Sequence, residues 1–152
     1  MNKISWDEYF INITKAVSLK SEDPSNKIGA IIVGISNEIR STGYNGFPRG
    51  LNHDPIKQER PLKYKYFEHA ERNAIYNASR FGAKTNNCTM YCLWPPCTSC
   101  ARAIIQSGIK RLVVNKSILD CPERWQDDLI LSINMLKECN ITFEVNNFNK
   151  GD

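Results

Sequence analysis

His69-Ala70-Glu71 and Pro96-Cys97-Thr98-Ser99-Cys100 bring one imidazole, two thiols and one carboxylate into a pattern suited to a metal that activates water. Zinc binds thiolate and imidazole well, and a catalytic zinc site uses three protein ligands with the fourth position left for water. His69, Cys97 and Cys100 supply that number. Two thiolates offset the charge of the ion, and a water at the open position is acidified toward neutral pH, which makes a hydroxide nucleophile available. Glu71, two residues beyond the histidine, is expected to move protons and not to bind metal.

Two blander readings compete for the cysteine pair. A closed structural zinc site needs a fourth ligand, yet the chain has only two histidines. The other cysteines, Cys88, Cys92, Cys121 and Cys139, fall in segments that read as strand, loop or helix interior, where cysteine behaves as a small buried hydrophobe. A thioredoxin-like redox pair would leave His-x-Glu unexplained. An open catalytic site is the preferred reading.

The elements that must hold these residues follow from caps, breakers and periodicity. Ser5 and Glu8 form a capping box, with Ile4 and Tyr9 at staple positions and a helical stripe of Phe10, Ile13, Ala16 and Val17 that ends before Asp23-Pro24. Segments 28–33 and 38–42 read as a hairpin around Ile35-Ser36-Asn37, followed by a turn-rich loop over 44–50. A second helix is expected over 68–81, a strand over 89–93, and a third helix that opens on Cys97 and Cys100 and stops at Ser107, with Gly108 as a left-handed cap. A strand over 109–114, a helix over 122–139 with apolar Leu129, Ile130, Ile133 and Leu136, and a strand over 141–145 complete the chain. The strand, helix, strand ending implies parallel final strands. The fold class is therefore α/β, a three-layer αβα sandwich around a five-stranded mixed sheet, with the metal gripped by the first turns of two helices. There the positive end of the macrodipole favours thiolate.

At 152 residues the chain suits one domain (1–152), with 41% hydrophobic and 24% charged residues, as is ordinary for a globular protein. No apolar run reaches bilayer length, and the start lacks the order of a signal peptide, so a cytoplasmic protein with reduced cysteines and no membrane partner is expected. A net charge of +4 mildly favours anionic ligands. The segment Lys57 to Lys65 could be named a nucleic-acid patch, but reads better as a solvated loop.

With the element order and the motif in place, the chain resembles the cytidine and deoxycytidylate deaminase superfamily, in its deoxycytidylate (dCMP) deaminase branch. The likeness rests on Trp6 to Phe10, Ser21 to Ser25 leading into Ile28-Gly29-Ala30, Gly43 to Pro48, His69 to Glu71 with Asn73-Ala74-Ile75, and Pro96 to Ala101 with Ile104 to Lys110. The metal motif is shared by many nucleobase deaminases; the Gly-Tyr-Asn-Gly loop narrows the choice. The resemblance implies one catalytic zinc per chain and conversion of dCMP to dUMP and ammonia by hydroxide attack on C4, with Glu71 shuttling protons. It implies that Asn45 binds the sugar hydroxyl, although Asn-Gly is also plain turn chemistry. The backbone at Ala70 would meet the pyrimidine oxygen, and the backbone around Pro96 the leaving amine. Lys27, placed at the entry of the first strand, is a candidate for a 5′-phosphate, against the alternative of an exposed strand-edge lysine.

Glu68 stands where several relatives have cysteine, and 51–67 contains no cysteine, so a second, structural zinc is not expected. The resemblance also implies a homo-oligomer, usually a hexamer, and Ile75, Tyr76 and Ala78 beside Ile104 and Ile105 offer apolar surface for it. Deamination of another aminated base, a nucleoside, or a cytosine or adenine in nucleic acid remains the alternative; the modest charge argues against nucleic acid. A catalytically silent scaffold would be expected to lack Glu71.

Overall fold

The computed structural model describes residues 2–148. In chain order its elements are α1 (Trp6–Ser18), β1 (Gly29–Val33), β2 (Ile39–Tyr44), a 3-10 turn at Pro55–Gln58, α2 (Lys63–Tyr66), α3 (Ala70–Phe81), β3 (Thr89–Cys92), α4 (Thr98–Gln106), β4 (Arg111–Val114), a 3-10 turn at Ile118–Asp120, α5 (Glu123–Glu138) and β5 (Thr142–Val145). The strands form one sheet in the order β2-β1-β3-β4-β5. β1 is antiparallel to both of its neighbours, while β3, β4 and β5 run parallel, as expected for the final strands.

β1 is buried along its whole length because its alternate side chains enter two different cores. Ala30 and Ile32 face the alanines of α3, Ile104 of α4, and Ile133 and Leu136 of α5. Ile31 and Val33 face Phe10 and Ile11 of α1. The three-layer sandwich follows, with α1 alone on one side.

The face that α1 buries differs from the expected stripe. Ser5 caps the helix by accepting from the Glu8 N–H, but the buried set is Phe10, Ile11, Thr14 and Ser18, while Ala16 is exposed. Thr14 and Ser18 can face the sheet because their hydroxyls donate to the Phe10 and Lys15 carbonyls. Close backbone approach explains the choice: a Cβ at Gly29 would lie 2.3 Å from the Thr14 carbonyl oxygen. Small polar residues win this seam from larger apolar ones.

Gly43 does the same on the opposite face. A Cβ there would lie 2.3 Å from the Ala74 nitrogen and 2.5 Å from the Ala70 oxygen, so β2 rests directly on the first turns of α3. This contact seats the helix that carries His69 and Glu71 at its start.

Toward the C-terminal end, Gly108 adopts the expected left-handed conformation (φ 79°) after α4. Leu129, Ile133 and Leu136 are buried as expected, but Ile130 is 48% exposed and Ser132 is buried instead. Cys139 is an exposed C-cap residue and not an interior one, whereas Cys88, Cys92 and Cys121 are buried. Of the apolar surface assigned to association, Ala78 and Ile104 are fully inside the core, and Tyr76 is half exposed. No helix among the described residues is long and apolar enough to cross a membrane.

Candidate active site

His69 and Cys97 are the N-cap residues of α3 and α4, and Cys100 lies in the first turn of α4. Both caps have extended backbone and neither side chain makes the usual capping hydrogen bond to its helix, which leaves imidazole and thiol to face each other. His69 Nδ1 lies 3.5 Å from Cys97 Sγ and 3.5 Å from Cys100 Sγ. Zinc bonds of about 2.3 Å to sulfur and about 2.0 Å to nitrogen at tetrahedral angles require N···S edges of roughly 3.5 Å. The three donors therefore fit zinc in type, number and spacing.

The charges around the donors support the same reading. The Cys97 thiol is pulled down to about 4, chiefly by its hydrogen bond with Cys100 and then by His69, against the opposing effect of burial. Cys100 is pushed up by the same Cys97 contact and by burial, and His69 is raised by its bond to Cys97. The pair thus favours a thiolate at Cys97 over one at Cys100, and metal binding must displace the Cys100 proton.

Glu71, the second residue of α3, is 4% exposed, and burial raises its carboxyl above the ordinary range. Its Oε2 lies 3.7 Å from Cys100 Sγ. A carboxylate that holds a proton more tightly than usual, beside the metal donors, suits proton transfer.

Glu68 ties this centre to the neighbouring turn. Its carboxylate accepts from the His69 N–H at 2.9 Å and pairs with Arg72 one turn on, which neutralises the charge that follows Glu71. Its backbone forms a two-way bridge with Gly46. The metal-ligand segment is thus tied through Gly46 to the turn that carries Asn45.

Together these groups open onto a cavity of about 560 Å³, within the range of small-molecule sites. Asn45 lines it and is 8% exposed. Its Oδ1 accepts from the Ile28 N–H at 2.8 Å, and its Nδ2 donates to Asp23 Oδ2 and the Asn26 carbonyl. Both amide hydrogens are thus used by the turn, and the remaining capacity toward a ligand is a lone pair on Oδ1. Ala70 and Pro96 are buried and do not line the cavity with their side chains; Ala70 is the first residue of α3, so its N–H has no partner within the helix.

The structure does not bring Lys27 to this cavity. Lys27 is exposed, whereas Asn26 and Ile28 on either side of it line the wall. The segment 57–65 also departs from a solvated loop. Lys63 is 6% exposed, and its ammonium meets Asp23 Oδ1 at 2.7 Å inside the cavity wall. A lysine in a polar stretch carries no sign of burial; its partner lies 40 residues away.

Sequence reasoning also missed the contribution of α5. Asp128 accepts from the Thr98 N–H (3.0 Å) and the Thr98 hydroxyl (2.9 Å), so it caps α4 from another helix, immediately beyond Cys97. Arg124, Trp125 and Leu129 add to the cavity wall. Nothing in the local pattern of 122–139 distinguishes these from ordinary helix-surface residues.

The comparisons with known proteins agree with this geometry. The family profile "Cytidine and deoxycytidylate deaminase zinc-binding region" matches residues 4–116. The chain is 40% identical over 116 residues to a deoxycytidylate deaminase of Mus musculus, covering 72% of this chain and 64% of that protein. It thus spans a little under two thirds of that relative's length. It is 33% identical over 136 residues to an uncharacterised deaminase encoded in the luxG 3′ region of Aliivibrio fischeri, covering 90% of each. Among solved structures, a dCMP deaminase from the cyanophage S-TIM5, in complex with dCMP and dUMP, superposes with a TM-score of 0.77 at 23% identity, covering 96% of this chain and 100% of that one. That likeness shows the fold. The zinc-fitting donor trio, the buried glutamate and the matched span together place the chain in the cytidine and deoxycytidylate deaminase family.

Proposed function

We propose that this chain is a zinc-dependent hydrolytic deaminase that converts dCMP to dUMP and ammonia. The observation that carries the proposal is the donor trio at zinc-edge spacing with buried Glu71 beside it, in a cavity whose wall includes Asn45. The 40% identity to a deoxycytidylate deaminase directs the choice of substrate. His69, Cys97 and Cys100 hold the ion, one per chain. Bound zinc supplies a Lewis acid that acidifies a water at its open position.

The chain's own residues perform the rest. Glu71 accepts the water's proton and delivers it to the ring nitrogen N3, then takes the proton of the hydroxyl added at C4 and passes it to the departing amine. In sum, one water adds at C4, the bond from C4 to the exocyclic nitrogen breaks, and ammonia leaves. Burial of Glu71 favours its protonated form, which lets it hold each proton between uptake and delivery. The Ala70 N–H faces the pyrimidine oxygen and the Pro96 backbone the leaving amine, while Asn45 Oδ1 accepts from the sugar hydroxyl.

The chain also acts as a homo-oligomer, a hexamer by analogy with the family, in the cytoplasm. Half-exposed Tyr76 beside partly buried Ile75 and Ile105 supports association, and six free cysteines suit a reducing compartment.

Direct measurement of ammonia release from dCMP, deoxycytidine and a cytosine-containing oligonucleotide tests the assignment. The highest kcat/KM is expected on dCMP. A higher value on either of the others would replace the substrate with a nucleoside or a nucleic acid.

A further inference from the structure

Asn45 is held through almost every polar atom it has. Its backbone N–H donates to the Ile28 carbonyl at 3.2 Å, and its carbonyl accepts from the Ser21 hydroxyl at 2.8 Å. In the side chain, Oδ1 accepts from the Ile28 N–H, and Nδ2 donates to Asp23 Oδ2 and to the Asn26 carbonyl. A carboxamide turned end for end would set Nδ2 against an N–H and Oδ1 against a carboxylate and a carbonyl, so these partners fix which atom lies where. The capacity they leave over is an acceptor lone pair.

Asp23 is the charged member of that set, and it is buried. Its Oδ1 accepts from the Ser25 N–H at 2.7 Å, the Asn26 N–H at 3.3 Å and the Lys63 ammonium at 2.7 Å, while Oδ2 takes Asn45. Lys63 is buried as well and lies 5.2 Å from the centroid of the Phe67 ring, which meets Phe47, two residues beyond Asn45, edge to face at 4.6 Å. A buried ion pair adds little stability over an apolar pair of the same shape, yet loss of one partner leaves a buried charge uncompensated. Stability alone is therefore a poor reason for this pair, and what it orients is a better one.

We propose that Lys63 is a positioning residue for sugar recognition: by holding Asp23 in place it locks the Asn45 carboxamide so that the amide offers the sugar an acceptor and no donor. The proposal rests on the dCMP reading above, with Asn45 as the sugar contact, and deepens it. dCMP carries one free sugar hydroxyl, at C3′, and an acceptor-only partner selects for that hydroxyl and against an analogue that lacks it. Lys63 belongs to α2 and Asp23 to the chain before β1, so this selectivity depends on two distant segments closing on the turn that carries Asn45.

The test compares kcat/KM on dCMP with kcat/KM on its 3′-deoxy analogue, 2′,3′-dideoxycytidine 5′-monophosphate, in zinc-loaded full-length protein. Wild type is expected to prefer dCMP. Lys63→Met, which removes the charge and keeps most of the side-chain length, should lower that preference about tenfold, as for the loss of one hydrogen bond to substrate. Because Lys63→Met leaves Asp23 uncompensated, it is paired with a double variant that also carries Asp23→Asn and buries no charge at the pair. There the Ser25 and Asn26 N–H groups claim the new amide's oxygen, so its nitrogen faces Asn45 Nδ2 and the lock is lost. The same loss of preference is expected. A folded, zinc-loaded double variant that keeps the wild-type preference overturns the proposal and makes the pair purely structural. Loss of activity that falls equally on both nucleotides overturns it too, because Lys63 would then serve a part of the substrate that both share. A wild type that deaminates both nucleotides equally well removes the sugar role of Asn45, and the proposal with it, while the dCMP reading stands. A wild type that does not turn over dCMP overturns that reading itself.

Discussion

Glu71 and the two cysteines share one centre but differ in what their removal should do. Glu71→Gln keeps the size of the side chain and removes the ability to take a proton. It is expected to retain zinc and lose about two to four orders of magnitude in kcat. Near-normal turnover in a zinc-loaded variant would show that another group moves the protons. Cys97→Ala and Cys100→Ala each remove a donor that lies 3.5 Å from His69 Nδ1, so metal analysis should find both depleted of zinc. Asn45 has a structural role that stands apart from the one proposed for it. Its amide closes the turn through Ile28, Asn26 and Asp23, and the same residue lines the cavity.

Between elements, the decisive contacts are made by residues whose sequence context looks ordinary. Asp128 is separated from Thr98 by 30 residues, yet it occupies the Thr98 N–H and hydroxyl at the turn that presents Cys97. Loss of a helix cap costs about 1 kcal/mol, and here the cap belongs to the helix that presents two of the three metal donors. Asp128→Ala is therefore expected to release zinc to a chelator several-fold faster than wild type, whereas the adjacent exposed Asp127→Ala should match it. Equal rates in all three proteins would mean that α5 merely covers the core. Gly43 makes a related demand, since β2 can lie on α3 only where no side chain intervenes. Gly43→Ala should lower the melting temperature and loosen zinc together, because the displaced helix begins at His69.

For the molecule as a whole, a polar network holds α1 to the parallel half of the sheet. Asp7 accepts from the Tyr91 hydroxyl at 2.7 Å and from Arg111 at 2.7 Å and 3.0 Å, and Arg111 reaches Glu144 on β5 at 2.5 Å. The hydrogen bond from Arg111 holds the Asp7 carboxyl below its ordinary value of 3.8. A depressed carboxyl stabilises the fold fully above that value and loses its contribution as pH falls through the folded one. Asp7→Asn should thus lower the melting temperature at pH 7, and the gap to wild type should narrow as pH falls below about 3.8. A gap that widens in acid would contradict the ion pair. Metal analysis should return one zinc per chain, because the described residues gather a single cluster of three donors. Sedimentation at micromolar concentration should show an oligomer, and a strictly monomeric profile would remove the association proposed for the Tyr76 surface.

The sequence by itself determined the three donors that could hold a metal, the carboxylate proposed to move protons, the order of helices and strands, and the layered sheet. These are written in local spacing: a ligand pair three apart, a carboxylate two beyond a histidine, caps, and hydrophobic periods. Small departures came where packing overrode the period, as where Thr14 and Ser18 took the seam against Gly29 and Ile130 turned outward. Only the tertiary structure decided what surrounds the substrate. The Lys63–Asp23 pair, the Asp128 cap on α4 and the exposure of Lys27 beside the cavity wall each depend on which distant segments meet. Charge and polarity are equally acceptable on a solvated surface and in a paired cavity wall, so a polar residue carries no local signal of which it will be. Only the approach of a partner across the fold resolves it.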